Sequence, residues 1–346
     1  VLRGGLIGLG NVAVHGHVPG WRARRDVAIV AVTDVRPAAR ATAAVELPGA
    51  RWYDSPAELV AAGGLDFVDI CTPPTTHAAL VVQALAAGLH VLCEKPLVCS
   101  TEDFIRLAGH AAAADRVLYT VHNWHHAPIA ARADALLRDG AIGRLHHVAW
   151  ETIRVRPASA GDGAAGNWRV DPAIGCGGVL TDHGWHVFYV LRRWIGADAT
   201  AVSATLERRR HREWAVEDTA TVDVTFPGAT ASVFLTWAGD TRRTRAELRG
   251  SDGTLVLDDD ALILKSAKDE RRWACPPGLS DGSHHADWFH GVAERFVRAL
   301  ADDGERRANL AEARLCVTLE SAARASSRCG RPLPVVVEGA ASRGAC

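Results

Sequence analysis

Residues 2–13 read Leu2-Arg3-Gly4-Gly5-Leu6-Ile7-Gly8-Leu9-Gly10-Asn11-Val12-Ala13. A short apolar run passes straight into G-x-G-x-x-A, and the residues that follow suit the start of a helix. Glycines at these two positions make a tight strand-to-helix turn and let the backbone approach a pyrophosphate. The small residue at the third position lets the helix pack closely on its strand. The N–H groups and dipole at the helix start then face the phosphates. The next apolar run ends in Thr33-Asp34-Val35-Arg36, with Asp34 24 residues beyond Gly10. A carboxylate there accepts hydrogen bonds from the ribose hydroxyls of NAD, whereas Arg36 would pair with the 2′-phosphate of NADP if Asp34 turned away. The plainer alternative is a structural turn with Asp34 at a helix start, but the placement in a first βαβ unit favours the dinucleotide.

Outward from that turn, the pattern holds for about 122 residues. Runs at 2–7, 27–33, 67–71, 90–93 and 117–121 are apolar and rich in β-branched residues. They alternate with helical stretches at 37–46, 56–62, 76–87 and 101–114. Nearly continuous apolar strands that alternate with helices predict a doubly wound parallel sheet covered on both faces. The pattern then changes. Helices are expected at 128–139, 178–194, 285–301 and 308–327, with strands at 145–155, 201–209, 219–226, 230–237, 243–249, 254–258 and 262–266. Pro227-Gly228 and Asp252-Gly253 turns between alternating stretches argue for an open, mostly antiparallel sheet. The expected domains are therefore 1–122 and 123–346, both in the α/β class, with a Gly/Ala-rich loop at 157–166 in the second.

The chain has 346 residues with 39 basic and 40 acidic side chains, a formal charge of -1. That balance argues against a nucleic-acid binder held by phosphate neutralisation. No apolar run spans a bilayer and no charged-then-apolar leader opens the chain, so a cytoplasmic protein without membrane contact is expected. The eight cysteines form no C-x-x-C pair, and reduced thiols are the corresponding expectation.

Only three of the 39 basic residues are lysines, leaving 36 arginines. One lysine stands in Cys93-Glu94-Lys95-Pro96, at the carboxyl edge of a strand where open α/β sheets bind ligands. A lysine there donates to a substrate oxygen. The bland alternative is a solvated lysine at a strand end. The second concentration of chemistry is Gly177-Gly178-Val179-Leu180-Thr181-Asp182-His183-Gly184-Trp185-His186. Asp182 and His186 are four apart and share a helix face, where a histidine can pass the proton that accompanies hydride transfer. A helix-start Asp and a core His are the alternative. Histidines also cluster at His122, His125 and His126 and at His284, His285 and His290. No zinc-ligand spacing organises them, so no metal is expected.

The ordered stretches GLIGLGNVA, TDV, CTPPTTH, CEKPL, NWRVDPAIGCGGVLTDHGWH and VEDTATVDVTF together resemble the Gfo/Idh/MocA oxidoreductases, over about residues 3–337. The resemblance implies a Rossmann domain followed by an α/β domain whose open sheet often forms a homodimer or homotetramer contact. It implies that Gly8, Gly10, Asn11, Val12, Asp34, Val35, Arg36, Thr72, Pro73, His77, Glu94, Lys95 and Asn123 bind the cofactor, Glu94 at the nicotinamide ribose. Lys95, Asp182 and His186 form its catalytic group. The expected reaction is hydride exchange between NAD (NADP as the second possibility) and a secondary alcohol or ketone of a sugar, cyclitol or related polyol. Besides the catalytic group, His125, Arg154, Arg156, Asn167, Trp168, Arg169 and Trp185 are expected to contact substrate, with His290 a further candidate. The chain departs from the family pattern at Trp124-His125-His126, His183 and Tyr189, so the substrate does not transfer from a familiar member. Two other classes stay open: an NAD-assisted hydrolase or lyase with transient oxidation, and a dinucleotide sensor without catalysis.

Overall fold

The run before the glycines is a strand, β1 (Leu2–Ile7), in the interior of a six-stranded sheet. The computed structural model describes residues 1–159, 167–267 and 269–336, so most of the Gly/Ala-rich loop, 160–166, lies outside the described residues. With β2 (Val27–Thr33), β3 (Arg51–Trp52), β4 (Phe67–Ile70), β5 (His90–Cys93) and β6 (Leu118–Thr120), the order is β3-β2-β1-β4-β5-β6. All five pairings are parallel. The chain leaves β1 for opposite sides of the sheet at β2 and β4, which opens the crevice at the carboxyl edge where such sheets take ligands.

Register makes that edge a row. Ile7 pairs with Thr33 and Ile70, Ile70 with Cys93, and Cys93 with Thr120. The next residues, Gly8, Asp34, Cys71 and Glu94, therefore emerge level with one another. Helices cover the sheet: a π-turn (Ala13–His17) running into α1 (Val18–Arg22), then α2 (Ala39–Glu46), α3 (Pro56–Ala61), α4 (Pro74–Ala86) and α5 (Thr101–Ala114). Ser55 and Ser100 start α3 and α5 by accepting from Glu58 N and Asp103 N, and Pro stands in the first turn of α3 and α4.

The second sheet contains β7 (Leu145–Ile153), β8 (Ala201–Glu207), β9 (Thr219–Phe226), β10 (Ala229–Thr236), β11 (Arg243–Gly250), β12 (Gly253–Asp258), β13 (Ala261–Ser266), β14 (Glu270–Ala274) and β15 (Leu333–Pro334). Its order is β14-β13-β12-β11-β7-β10-β9-β8-β15, antiparallel throughout except for the β7–β10 pair. Alternate residues such as Trp150, Val222, Val233, Leu248 and Leu257 are buried on one face, while Asp223, Arg243 and Arg249 look outward. That one-sided pattern is what an antiparallel sheet with a single covered face requires. Helices α6 (Pro128–Arg138), α7 (Pro172–Gly175) and α8 (Trp185–Ile195) belong to this unit.

Two helices precede the final strand β15, α9 (Ala286–Ala299) and α10 (Asp303–Cys329). Residues Gly282–Ala313 cluster with the first unit and Arg314 onward with the second. Trp288, Phe289, Val292 and Phe296 are buried, and Phe289, Val292 and Phe296 join Trp21, Phe67 and Tyr119 in an aromatic core under the first sheet. Burying side chains of this size stabilises by about 1.5–3 kcal/mol each.

Cys71, Cys93, Cys275 and Cys316 are buried thiols outside any disulfide, whereas Cys99, Cys176 and Cys329 are disulfide-bonded. The expectation of reduced thiols throughout is corrected at those three positions. Spacing along the chain reports only local pairs, and a disulfide depends on Cα atoms that the fold brings within about 7 Å. Among the described residues no helix is long and apolar enough to cross a membrane.

Candidate active site

The first unit carries the dinucleotide edge. Gly8 has φ +93°, and a Cβ there would crowd Thr72 and the Cys71 backbone, so glycine is required by conformation and by space. Asp34 closes the turn: its carboxylate accepts from Leu9 N at 2.7 Å and Arg36 N at 2.8 Å. The Arg36 guanidinium adds two bonds of 3.0 Å and also donates to Leu9 O. Burial would raise the Asp34 carboxyl, but Arg36 and the Leu9 and Arg36 amides hold it below the usual carboxylate range. Asp34 and Arg36 are thus one ion pair at the cofactor edge rather than two alternatives.

These residues fit a bound dinucleotide. Among the described residues, nothing beyond Gly10's own stretch of chain lies within 4 Å of where a Cβ on Gly10 would sit. Val35 is 88% exposed beside Asp34, an apolar shelf for a base. The side-chain oxygen of Asn123 is buried with no hydrogen-bond partner among the described residues, an acceptor that a carboxamide would satisfy. His77 is buried and its ring nitrogens lie 2.8 Å from Thr72 O and 2.9 Å from Pro96 O. It therefore staples the loop after β4 to the turn after β5. Burial pushes its pKa down. In that turn Glu94 is buried and Lys95 half-buried; Glu94 Oε2 accepts from Lys95 N at 2.9 Å. The Lys95–Pro96 peptide is cis.

The second unit holds the other expected catalytic residues. A π-turn (Leu180–Gly184) leads into α8 and holds Asp182 and His183. Asp182 Oδ2 is 3.8 Å from both Arg169 Nε and His183 Nε2. His186 is buried, with Nδ1 2.8 Å from the Tyr189 hydroxyl. That hydroxyl accepts from Trp124 N at 2.9 Å. The His125 ring lies 4.7 Å from that of Tyr189.

Glu217 fixes the start of this helix. Its Oε1 accepts from Gly178 N and Leu180 N, and Arg324 bonds both of its oxygens at 2.9 and 3.0 Å. A Cβ on Gly178 would collide with Glu217 O, so only glycine allows the approach. A carboxylate at this end also opposes the helix dipole favourably.

The remaining expected substrate contacts fall in several environments. Arg154 is buried, and its guanidinium donates to Ile153 O, Arg243 O, Thr244 Oγ1 and Leu279 O. Burial and the neighbouring Arg242 push its pKa down to about 10. It is a brace within the sheet. Trp185 lies in the core. Arg156 and His290 are exposed, and Asn167, Trp168 and Arg169 are half-buried.

Sequence reading did not single out Glu217 as a cap, Trp124 as a support for His186, or His17 and Asp69. His17 and Asp69 had a signal: a histidine seven residues after Gly10, and an acid inside an otherwise apolar strand.

Comparison with known proteins identifies the family and the fold. Residues 2–122 match the oxidoreductase family with an NAD-binding Rossmann fold, and residues 130–256 match the GFO/IDH/MocA C-terminal domain. The chain is 28% identical over 345 residues to a D-apiose dehydrogenase of Paraburkholderia graminis, covering 95% of this chain and 88% of that one. It is 32% identical over 263 residues to a dTDP-3,4-didehydro-2,6-dideoxy-alpha-D-glucose 3-reductase of Streptomyces antibioticus, covering 74% and 75%. Its fold matches that of an oxidoreductase from Agrobacterium radiobacter solved with NAD+, L-tartaric acid and magnesium, with TM-score 0.86, 24% identity and coverage of 96% and 98%. With both halves matched and the glycine turn built as the dinucleotide requires, this chain belongs to the Gfo/Idh/MocA family of NAD-binding oxidoreductases.

Proposed function

We propose that the protein is an NAD-dependent dehydrogenase or reductase for a secondary alcohol or ketone of a sugar, cyclitol or related polyol, with NADP as a weaker alternative. The observation that carries this reading is the fixation of His186: its ring is stacked on Trp124 and its Nδ1 is held by Tyr189. A histidine oriented through one nitrogen is prepared to exchange a proton through the other. Bound NAD supplies the hydride acceptor. In this reading Lys95 donates a hydrogen bond to the reacting oxygen, His186 takes the hydroxyl proton during oxidation and returns it during reduction, and Asp182 orients His186. Arg169, near Asp182, and His125, near Tyr189, contribute to substrate recognition. The relatives named above act on sugars, which supports the substrate class.

The reading extends to a cytoplasmic homodimer or homotetramer, tested by cell fractionation and by light scattering of the purified protein. The activity is tested by reduced-nicotinamide absorbance with NAD or NADP and a panel of cyclitols, aldoses and sugar phosphates. Substrate-dependent NADH formation is expected. Product formed without net NADH would replace this reading with masked redox chemistry.

A further inference from the structure

The strongest cluster of ionisable groups that the proposed reaction does not use lies inside the first unit. His17 ends the π-turn Ala13–His17 and is 1% exposed. Its Nδ1 is 2.9 and 3.1 Å from the two oxygens of Asp69, and its Nε2 is 2.9 Å from Glu94 Oε1. Trp21 Nε1 donates to Asp69 at 2.7 Å, Cys71 Sγ is 3.1 Å from His17 Nδ1, and the Phe289 ring stacks on the imidazole at 3.8 Å. His17, Asp69 and Cys71 are metal-ligating types within reach of one ion. Their spacings, however, are those of hydrogen bonds already made.

Both imidazole nitrogens face carboxylates, which accept only, so the doubly protonated ring alone satisfies both contacts. Burial opposes that charge, but Asp69, with Cys71, raises the His17 pKa well above its ordinary value. Burial also pushes the Cys71 thiol up. For Glu94, burial works upward, and His17 and Lys95 outweigh it to hold the carboxyl down. The groups facing this array are therefore Asp69 within β4 and Cys71 just after it, Cys93, Glu94 and Lys95 at the β5 end, and the uncharged rings of Trp21 and Phe289. A π-turn inserts a residue into a helix, often at a functional position. Here it decides which side chain of the phosphate-facing helix meets β4 and β5.

We propose that His17 is a positioning residue for the cofactor: bonded to Asp69 through one ring nitrogen and to Glu94 through the other, it fixes the Glu94 carboxylate in the turn that carries Lys95. Glu94 is then pinned at both oxygens, Oε1 by His17 and Oε2 by Lys95 N. A carboxylate has about four acceptor sites, so one on each oxygen is left to take a ribose hydroxyl in a set orientation. This inference rests on the reading of Glu94 as a contact of the nicotinamide-side ribose.

The test titrates the intact protein with NADH, ADP-ribose and ADP, the last lacking the second ribose. His17→Leu is expected to weaken NADH and ADP-ribose about tenfold while ADP stays within about twofold, and to add no loss in a Glu94→Gln background. Equal weakening of ADP, or unchanged NADH binding in a folded His17→Leu protein, overturns the proposal. If Glu94→Gln binds NADH as tightly as the parent, the Glu94 reading fails and takes the proposal with it. If Glu94→Gln weakens binding and His17→Leu does not, only the His17 role fails. Should His17→Leu not fold, ¹⁵N NMR of the parent decides: two protonated ring nitrogens at neutral pH are expected, and one lone-pair nitrogen overturns the bridge.

Discussion

The imidazole of His186 lies flat against the indole of Trp124, with ring centroids 4.5 Å apart and planes 6° from parallel. Trp124 also reaches the same histidine by a second route, because its backbone N–H donates to the Tyr189 hydroxyl, which in turn bonds His186 Nδ1. One residue thereby sets the tilt of the ring and, through Tyr189, its rotation. Tyr189→Phe removes the hydroxyl and strands a buried amide. The expected cost is about 1–3 kcal/mol in unfolding free energy. The expected loss in kcat is roughly tenfold to a hundredfold, with KM nearly unchanged. Denaturation and steady-state kinetics on the same preparation check both. Full activity in a destabilised variant would remove Tyr189 from the chemistry.

If the proposed function holds, cofactor choice is expected to depend on the Asp34–Arg36 pair. Arg36 is half exposed and bonds the Asp34 carboxylate with both its Nε and a terminal nitrogen. Arg36→Ala removes the group best suited to a 2′-phosphate and should raise the kcat/KM preference for NAD over NADP about tenfold. Asp34→Ala should do the reverse and weaken NAD, since it also deprives Leu9 N of its partner. An unchanged preference in both variants would place discrimination elsewhere.

Glu217 couples the start of the helix that carries His186 to α10. Glu217→Ala leaves the Arg324 guanidinium, only 23% exposed, with Glu320 as its remaining carboxylate partner and Thr181 Oγ1 as a neutral acceptor. It also leaves Gly178 N and Leu180 N without their carboxylate acceptor. Removing one partner of such a pair costs about 3 kcal/mol. Chemical denaturation of Glu217→Ala, Arg324→Ala and the double variant should show strong non-additivity, because both single variants lose the Glu217–Arg324 contacts.

The His17 array gives a pH signature. Because the folded pKa of His17 is raised, its contribution to stability is complete below the unfolded value of about 6.5 and is lost as pH rises through the folded value. The stability advantage of the parent over His17→Gln should therefore be largest in mildly acidic buffer and shrink toward alkaline pH. Urea denaturation across that range measures it. A pH-independent difference would show that His17 does not carry the charge.

The sequence displays much of this fold and less of the site. Strands 2–7, 27–33 and 90–93 and helix 101–114 are legible because an apolar run ends at Gly8, Asp34 or Glu94, and Ser100 caps the helix. The two-residue strand Arg51–Trp52 and the edge strand Glu270–Ala274 are not. The first is too short for a period, and the second is mostly exposed and charged, as edge strands are. The return of α9 to the first unit is invisible for another reason: its apolar face declares that it is buried, not against what. The same holds within the site. Asp182, His186 and Lys95 stand out by residue type and spacing. Tyr189, Glu217 and His17, each within its own unit, take their meaning from partners that only the fold brings near.

Hydride transfer itself is the central claim, and isotope tracing tests it most directly. A substrate found active on the panel, deuterated at the carbinol carbon, is incubated with the protein and NAD. The account predicts that the deuterium appears at C4 of the nicotinamide with a slowed rate, and that transfer is abolished in Lys95→Ala and His186→Ala while NADH still binds. Deuterium released to solvent, or product formed with unlabelled and unreduced cofactor, would contradict it.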